Sequence, residues 1–216
     1  MVDTKQLLMS RMQALTPALD EAIAWAIIRA ETRAAGLDHD RFPHLRPMTI
    51  RADVRLALEH STSLHGWQVS GDPRKMAQLL LEDQQTGLVL RFLKSPFSQP
   101  DRIPHAGHSQ ARRETWSQRP LPLAAPGQLI VDTGLAGVTL LLLWSYQDVT
   151  RRTDGFDLRI VHTLEPGAFG RTTVCDLDLA VPRGGILREE DLRFVVSEEE
   201  EDLFLIDVPA DDELGS

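Results

Sequence analysis

The chain has 216 residues, 42% hydrophobic and 25% charged, with a formal net charge of −9. That size and balance support a sizeable core without disulfide or metal staples, and the acidity argues against nonspecific binding to duplex nucleic acid. A single cysteine, Cys175, excludes an internal disulfide and a multi-cysteine zinc site.

Residues 1–11 carry polar side chains where the apolar stretch of a signal peptide would lie, and the longest apolar run, Val138–Trp144, is too short to span a bilayer. A cytoplasmic protein is expected, with no membrane association. The charge is uneven. Residues 1–119 hold 16 Lys+Arg against 13 Asp+Glu, and residues 120–216 hold 7 against 19, balances of +3 and −12.

In chain order, Thr4–Leu15 reads as a helix or as the first part of a kinked one. Thr16-Pro17 reads as an N-cap and first helical position, opening a helix with Leu19, Ile23, Ile27 and Ala30 on one side up to Gly36. Residues 38–47 form a loop, and Thr49–His60 a further helix. Asp72-Pro73 repeats the cap signal and predicts a helix over Arg74–Asp83. After Gly87 the period changes to two, so Leu88–Lys94 reads as a strand. Ser109 caps a short helix ending at Trp116 or Gln118. Strands follow at Gln128–Asp132, Val138–Tyr146, Asp157–Thr163, Thr172–Val181, Arg193–Ser197 and Leu203–Val208, with Asp176 and Asp178 on a solvated face. Helices first and strands later predict an α+β fold with an antiparallel sheet. It is read as one domain over 1–216: a mainly helical part at 1–86, a mainly antiparallel sheet at 87–209 and an acidic tail at 210–216.

The densest polar stretch is His105–Gln118, on the connection between two strands. Arg112 and Arg113 suit phosphate or carboxylate geometry, the start of the helix at Ser109 offers unpaired N–H groups, Trp116 is a candidate stacking platform and Gln118 a further contact. The plainer reading is a solvated helix with Trp116 turned into the core and an arginine paired to Glu114 or to the acidic second half. An enzyme reading, a nucleic-acid-acting toxin, would use Lys94, His105 and His108 with the two arginines.

Other motifs are weaker. Asp38, His39, Asp40 and His44 share a loop, yet no His-Glu-x-x-His or paired-cysteine pattern accompanies them, so neither a metal nor a cofactor is expected. Asp53, Glu59 and Glu82 with Lys94 imitate a metal-dependent nuclease, but Phe92 stands where an acid would be needed. Arg55 and His60 have a spacing found in helical ribonucleases, which two exposed helix residues also satisfy. The acidic run Glu198–Asp202 reads as a solvated loop or as a docking surface for a basic partner.

Two resemblances follow from these motifs. The run Leu129-Ile-Val-Asp132-Thr133-Gly134, followed by Thr139-Leu140, looks like the catalytic loop of retroviral-type aspartic proteases. There, two such loops from two subunits share one proton between two carboxylates. Asp132 would then be the catalytic group, although Leu135 stands where alanine is usual. The segment Gly107-His-Ser109-Gln-Ala111-Arg112, followed by Trp116, Gln118, Trp144 and Ala180-Val-Pro182, resembles a set of uncharacterised actinobacterial and phage proteins. Their genes often lie beside helix-turn-helix regulators. The similarity runs over Leu88–Pro182. It implies an accessory protein of a toxin–antitoxin or phage-defence pair that binds a DNA-binding regulator, and it supplies no catalytic residues. The expected partner is therefore a protein. Nucleic acid is not favoured by the charge, and a homodimer is compatible with the sequence.

Overall fold

The structure, a computed structural model, describes residues 4–96, 102–121, 134–168, 171 and 173–183, with the backbone of 192–193. Among the described residues three helices, α1 (Thr4–Arg33), α2 (Leu45–Glu59) and α3 (Gln110–Trp116), accompany seven strands. These are β1 (Trp67–Ser70), β2 (Leu80–Asp83), β3 (Val89–Lys94), β4 (Thr139–Tyr146), β5 (Phe156–Thr163), β6 (Cys175–Val181) and β7 (Leu192–Arg193). The fold is α+β, with the two long helices preceding the sheet. The strands lie in sequence order, and every neighbouring pair is antiparallel except β3–β4. That pair is parallel because the intervening chain carries α3 across one face before β4 begins.

Both faces of the sheet are covered. Leu81, Leu90, Phe92, Leu142, Trp144, Leu158, Ile160 and Leu179 point to one face and join Leu8, Met12, Leu15, Leu19, Ile23 and Ile50, Val54, Leu58 of α1 and α2. Leu141, Leu143, Val161 and Cys175 point to the other, where Ile103, Ala106 and Trp116 cover them. This two-sided burial explains the unbroken apolar run of β4, which alternation alone would not produce.

Pro17 lies inside α1 instead of opening a second helix. The apolar stripe Leu8, Met12, Leu15, Leu19, Ile23, Ala26, Ala30 passes through it without a change of phase. Burial of that stripe outweighs the roughly 3 kcal/mol an interior proline costs. Thr16 does not cap a helix; its buried hydroxyl donates to the Met12 carbonyl at 2.9 Å. The helix expected over Arg74–Asp83 is also absent. Met76 and Ala77 adopt φ of 56° and 54°, and the segment turns into β2. Asp72 does act locally, its Oδ1 accepting from the Arg74 amide at 3.0 Å, but as a turn and not as a helix cap. The sheet thus begins at Trp67, inside the stretch expected to be helical.

Tight loops seat the parallel pair. At Gly87 (φ +72°) a Cβ would sit 3.3 Å from the Ala136 backbone, and the Gly137 amide donates to the Gly87 carbonyl. Asp178, expected on a solvated face, pairs with Arg159 at 2.9 Å. Asp176 meets the buried His162 and accepts from the Leu121 amide at 2.7 Å. Among the described residues no helix is long and apolar enough to cross a membrane. The strands expected at Gln128–Asp132 and Leu203–Val208 lie outside the described residues.

Candidate functional site

α3 lies on the sheet face opposite α1 and α2, and four hydrogen bonds fix it there. The Trp116 indole is 1% exposed and donates to the Pro104 carbonyl at 3.0 Å. The Thr163 hydroxyl donates to the Trp116 carbonyl at 2.9 Å. The Gln118 amide donates to the Thr139 carbonyl at 2.6 Å and accepts from the Thr139 amide at 2.8 Å, so a side chain supplies the two bonds that a neighbouring strand would make. Trp116 therefore offers no stacking face, and Gln118 is committed to β4. Of the four expected contact residues, these two hold the helix in place.

Arg112 and Arg113 are exposed. Glu114 takes the Gln110 amide instead of an arginine. Among the described residues Arg112 makes no ion pair with a carboxylate. It lines a groove of about 570 Å³ with Lys75, Gln78, Glu82, Arg91 and Thr115. Arg91 lies with its guanidinium 5.4 Å from the centre of the Trp116 ring. Burial, then the neighbouring Arg112 and Arg51, push Arg91 down to about 10. Arg51 is lowered by burial and by Arg112, and its Nη1 donates to the Met76 carbonyl at 2.8 Å. Arg51 and Arg91 carry little signal in the sequence. The only signal was an arginine at an outward position of an otherwise apolar strand.

The residues of the enzyme reading do not converge. Lys94 is on the α1–α2 face, its Nζ 5.8 Å and 5.6 Å from the ring centres of Trp144 and Tyr146. His105 and His108 are exposed on the loop leading into α3, on the other face. Asp53 pairs with Arg33 and Glu59 with Arg55, so they do not assemble a nuclease centre with Glu82. Arg55 also donates to the Ser70, Gly71 and Gln78 carbonyls, and His60 contacts the Leu56 carbonyl, which are structural tasks. Among the described residues no three His, Cys, Asp or Glu side chains gather as metal ligands. Asp132 lies outside the described residues. Burial raises the Cys175 thiol to about 11, which makes it a poor nucleophile.

Around Lys94 a second charged group is built on Glu31, which accepts from the Tyr146 hydroxyl at 3.0 Å and from Arg46 Nε at 2.9 Å, with Arg152 at 3.7 Å. Burial, then Arg152, lowers the Lys94 amine to about 8 from its ordinary 10.5. The unfolded chain therefore binds the extra proton between those values, and stability rises with pH across that window. Below pH 8 the charged amine carries a constant penalty. Lys94→Met is expected to raise the melting temperature at pH 7, with the advantage shrinking as pH approaches 10. Thermal melts at several pH values would show it. A melting temperature lowered by Lys94→Met at pH 7, with the loss shrinking as pH rises, would mean the ammonium is a net stabilising group.

Compared with protein-family models, with curated proteins and with solved structures, the chain gave no match.

Proposed function

We propose that the protein is a non-enzymatic binding protein whose contact surface is the exposed side of α3. One observation carries this reading. Arg11, Arg33, Arg46, Arg55 and Arg159 each sit within ion-pair distance of a carboxylate, whereas among the described residues Arg112 and Arg113 have no such partner. Two adjacent cations that the fold does not use are available to another molecule. The segment resemblance around Gly107–Arg112, with the −12 balance of residues 120–216, supports a DNA-binding regulator as that partner, in a toxin–antitoxin or phage-defence pair. A nuclease-type toxin would need Lys94 beside His105 and His108, which lie on opposite faces of the sheet.

The test is capture from the native host with tagged wild-type chain and with an Arg112→Ala/Arg113→Ala variant. The variant is expected to lose the partner while its melting temperature stays within about a degree, as exposed substitutions do. Retention of the same partner by the variant would overturn the assignment of α3. Growth arrest on expression of this chain alone, relieved by its neighbour, would instead mark a toxin.

A further inference from the structure

We infer that the groove between α3 and the β2–β3 strands is a binding site for a phosphate monoester group. It deepens the reading of the α3 face and rests on it for Arg112.

Four elements converge there. Lys75 comes from the β1–β2 loop, Arg91 from β3 and Arg112 from α3, all three lining the groove. Arg51 of α2 adjoins the groove, donating to the Met76 carbonyl at 2.8 Å, and its charge adds to the lowering of Arg91 after burial and Arg112. Against these four cations the groove sets one carboxylate, Glu82, whose Oε1 already accepts from the Ser70 hydroxyl at 2.6 Å. Arg51 and Arg91 are half-buried, and Lys75 and Arg112 crowd them from the exposed rim; gathering like charges around half-buried side chains is unfavourable unless an anion offsets it. Elsewhere the same fold supplies that anion: Asp83 for Arg11, Glu31 for Arg46, Asp178 for Arg159. Here, among the described residues, no carboxylate lies within ion-pair distance of Arg51, Lys75, Arg91 or Arg112, and Arg91 Nε is buried with no hydrogen-bond partner.

The backbone also departs from its easy conformations at this place. Met76 and Ala77 are consecutive non-glycine residues at positive φ, and Arg51 holds the Met76 carbonyl. Such strain persists only where surrounding contacts enforce it, and it clusters at binding sites. It sets Lys75 and Gln78 at the groove wall.

The chemistry of the ligand follows from these groups. Several guanidinium forks and an ammonium suit a dianion with three oxygens better than a single carboxylate. Ser109 and Thr115 sit on the same wall. None of the described lining residues is aromatic, and Trp116 lies beneath Arg91, so recognition is by charge and donors and ignores what carries the phosphate. That carrier is either a small nucleotide or a phosphorylated side chain of a partner.

Calorimetric titration of the full chain with phenyl phosphate, with phenyl sulfate as the monoanionic control, tests the site. Saturable single-site binding of phenyl phosphate is expected, stronger than that of the sulfate. Arg112→Gln, on the exposed helix, should weaken it about tenfold or more, as loss of a hydrogen bond to a charged group does. Arg91→Gln should do the same, and Glu82→Gln should tighten it. Adenosine monophosphate and a phosphoserine peptide, run as separate arms, assign the carrier by which binds tighter. Equal binding of phosphate and sulfate, or an Arg112→Gln titration matching wild type, would overturn the inference. Arg113→Ala separates the two claims: it should cost partner capture and leave phenyl phosphate binding intact. Capture that depends on arginine with no phosphate binding would sink only the groove.

Discussion

Asp83→Ala is expected to be among the most damaging single substitutions in this chain, lowering the unfolding free energy by about 3–5 kcal/mol. The Asp83 carboxylate is fully buried. It accepts from Arg11 Nε at 3.0 Å and from Arg11 Nη2, from the Thr86 hydroxyl at 2.7 Å and from the Gln85 amide at 3.4 Å. Arg11 in turn donates to the His65 carbonyl at 2.7 Å, and its own carbonyl takes the Trp67 indole at 3.2 Å. One ion pair thus joins α1, the approach to β1 and the β2–β3 turn. Alanine would leave a guanidinium buried without its anion, which costs more than the pair itself contributes. Set against a total stability of about 5–15 kcal/mol for an ordinary domain, that is a large fraction. Urea unfolding should show a lower midpoint at an unchanged slope. Asp83→Leu combined with Arg11→Met should recover much of the loss. An Asp83→Ala midpoint near that of wild type would show that the pair does not tie the helix to the sheet.

Trp116→Ala should cost a similar amount, about 3–5 kcal/mol, because it empties a large buried site. The effect has two parts that can be separated. Trp116→Phe keeps most of the packing against Leu141, Leu143 and Val161 but loses the donor to Pro104. It should cost about 1 kcal/mol for that bond plus whatever the smaller ring fails to fill. Either change also removes the indole surface under Arg91, so phosphate-probe binding should weaken in Trp116→Phe even where the chain is fully folded. Full stability in Trp116→Ala would contradict the docking of α3 on the sheet.

Much of this architecture could be read from residue order. The period-two run after Gly87, the apolar run of β4 and the alternation in β5 and β6 identified those strands, because pleated strands write their burial directly into sequence. The short helix after Ser109 was legible from its bounds, but the sequence left open whether Arg112 and Arg113 face outward or pair with acidic side chains; both are exposed. Pro17 misled because a local helix-start signal was set against a tertiary stripe that runs through it. The β2 strand was missed because Asp72-Pro73 makes a turn whose side-chain bonds mimic a helix start. The parallel β3–β4 pair was not legible, since strand direction depends on how a long connection is laid over the sheet. The groove was half legible. Arg112 announced itself beside Arg113, while Arg51 and Arg91 looked like ordinary charged residues on a helix and a strand until the fold placed them together.

The amide bonds of Gln118 to Thr139 bear on how fast and how tightly α3 can engage another molecule. A seven-residue helix has almost no tendency to persist in water by itself, and a contact that had to form it on encounter would surrender affinity to the ordering of backbone and side chains. With Trp116 sunk into the sheet and Gln118 locked across the start of β4, that ordering is complete before any encounter. Association should then be governed by collision and by ionic strength rather than by rearrangement. Loosening Gln118 would show as a slower on-rate before it showed as a less stable fold.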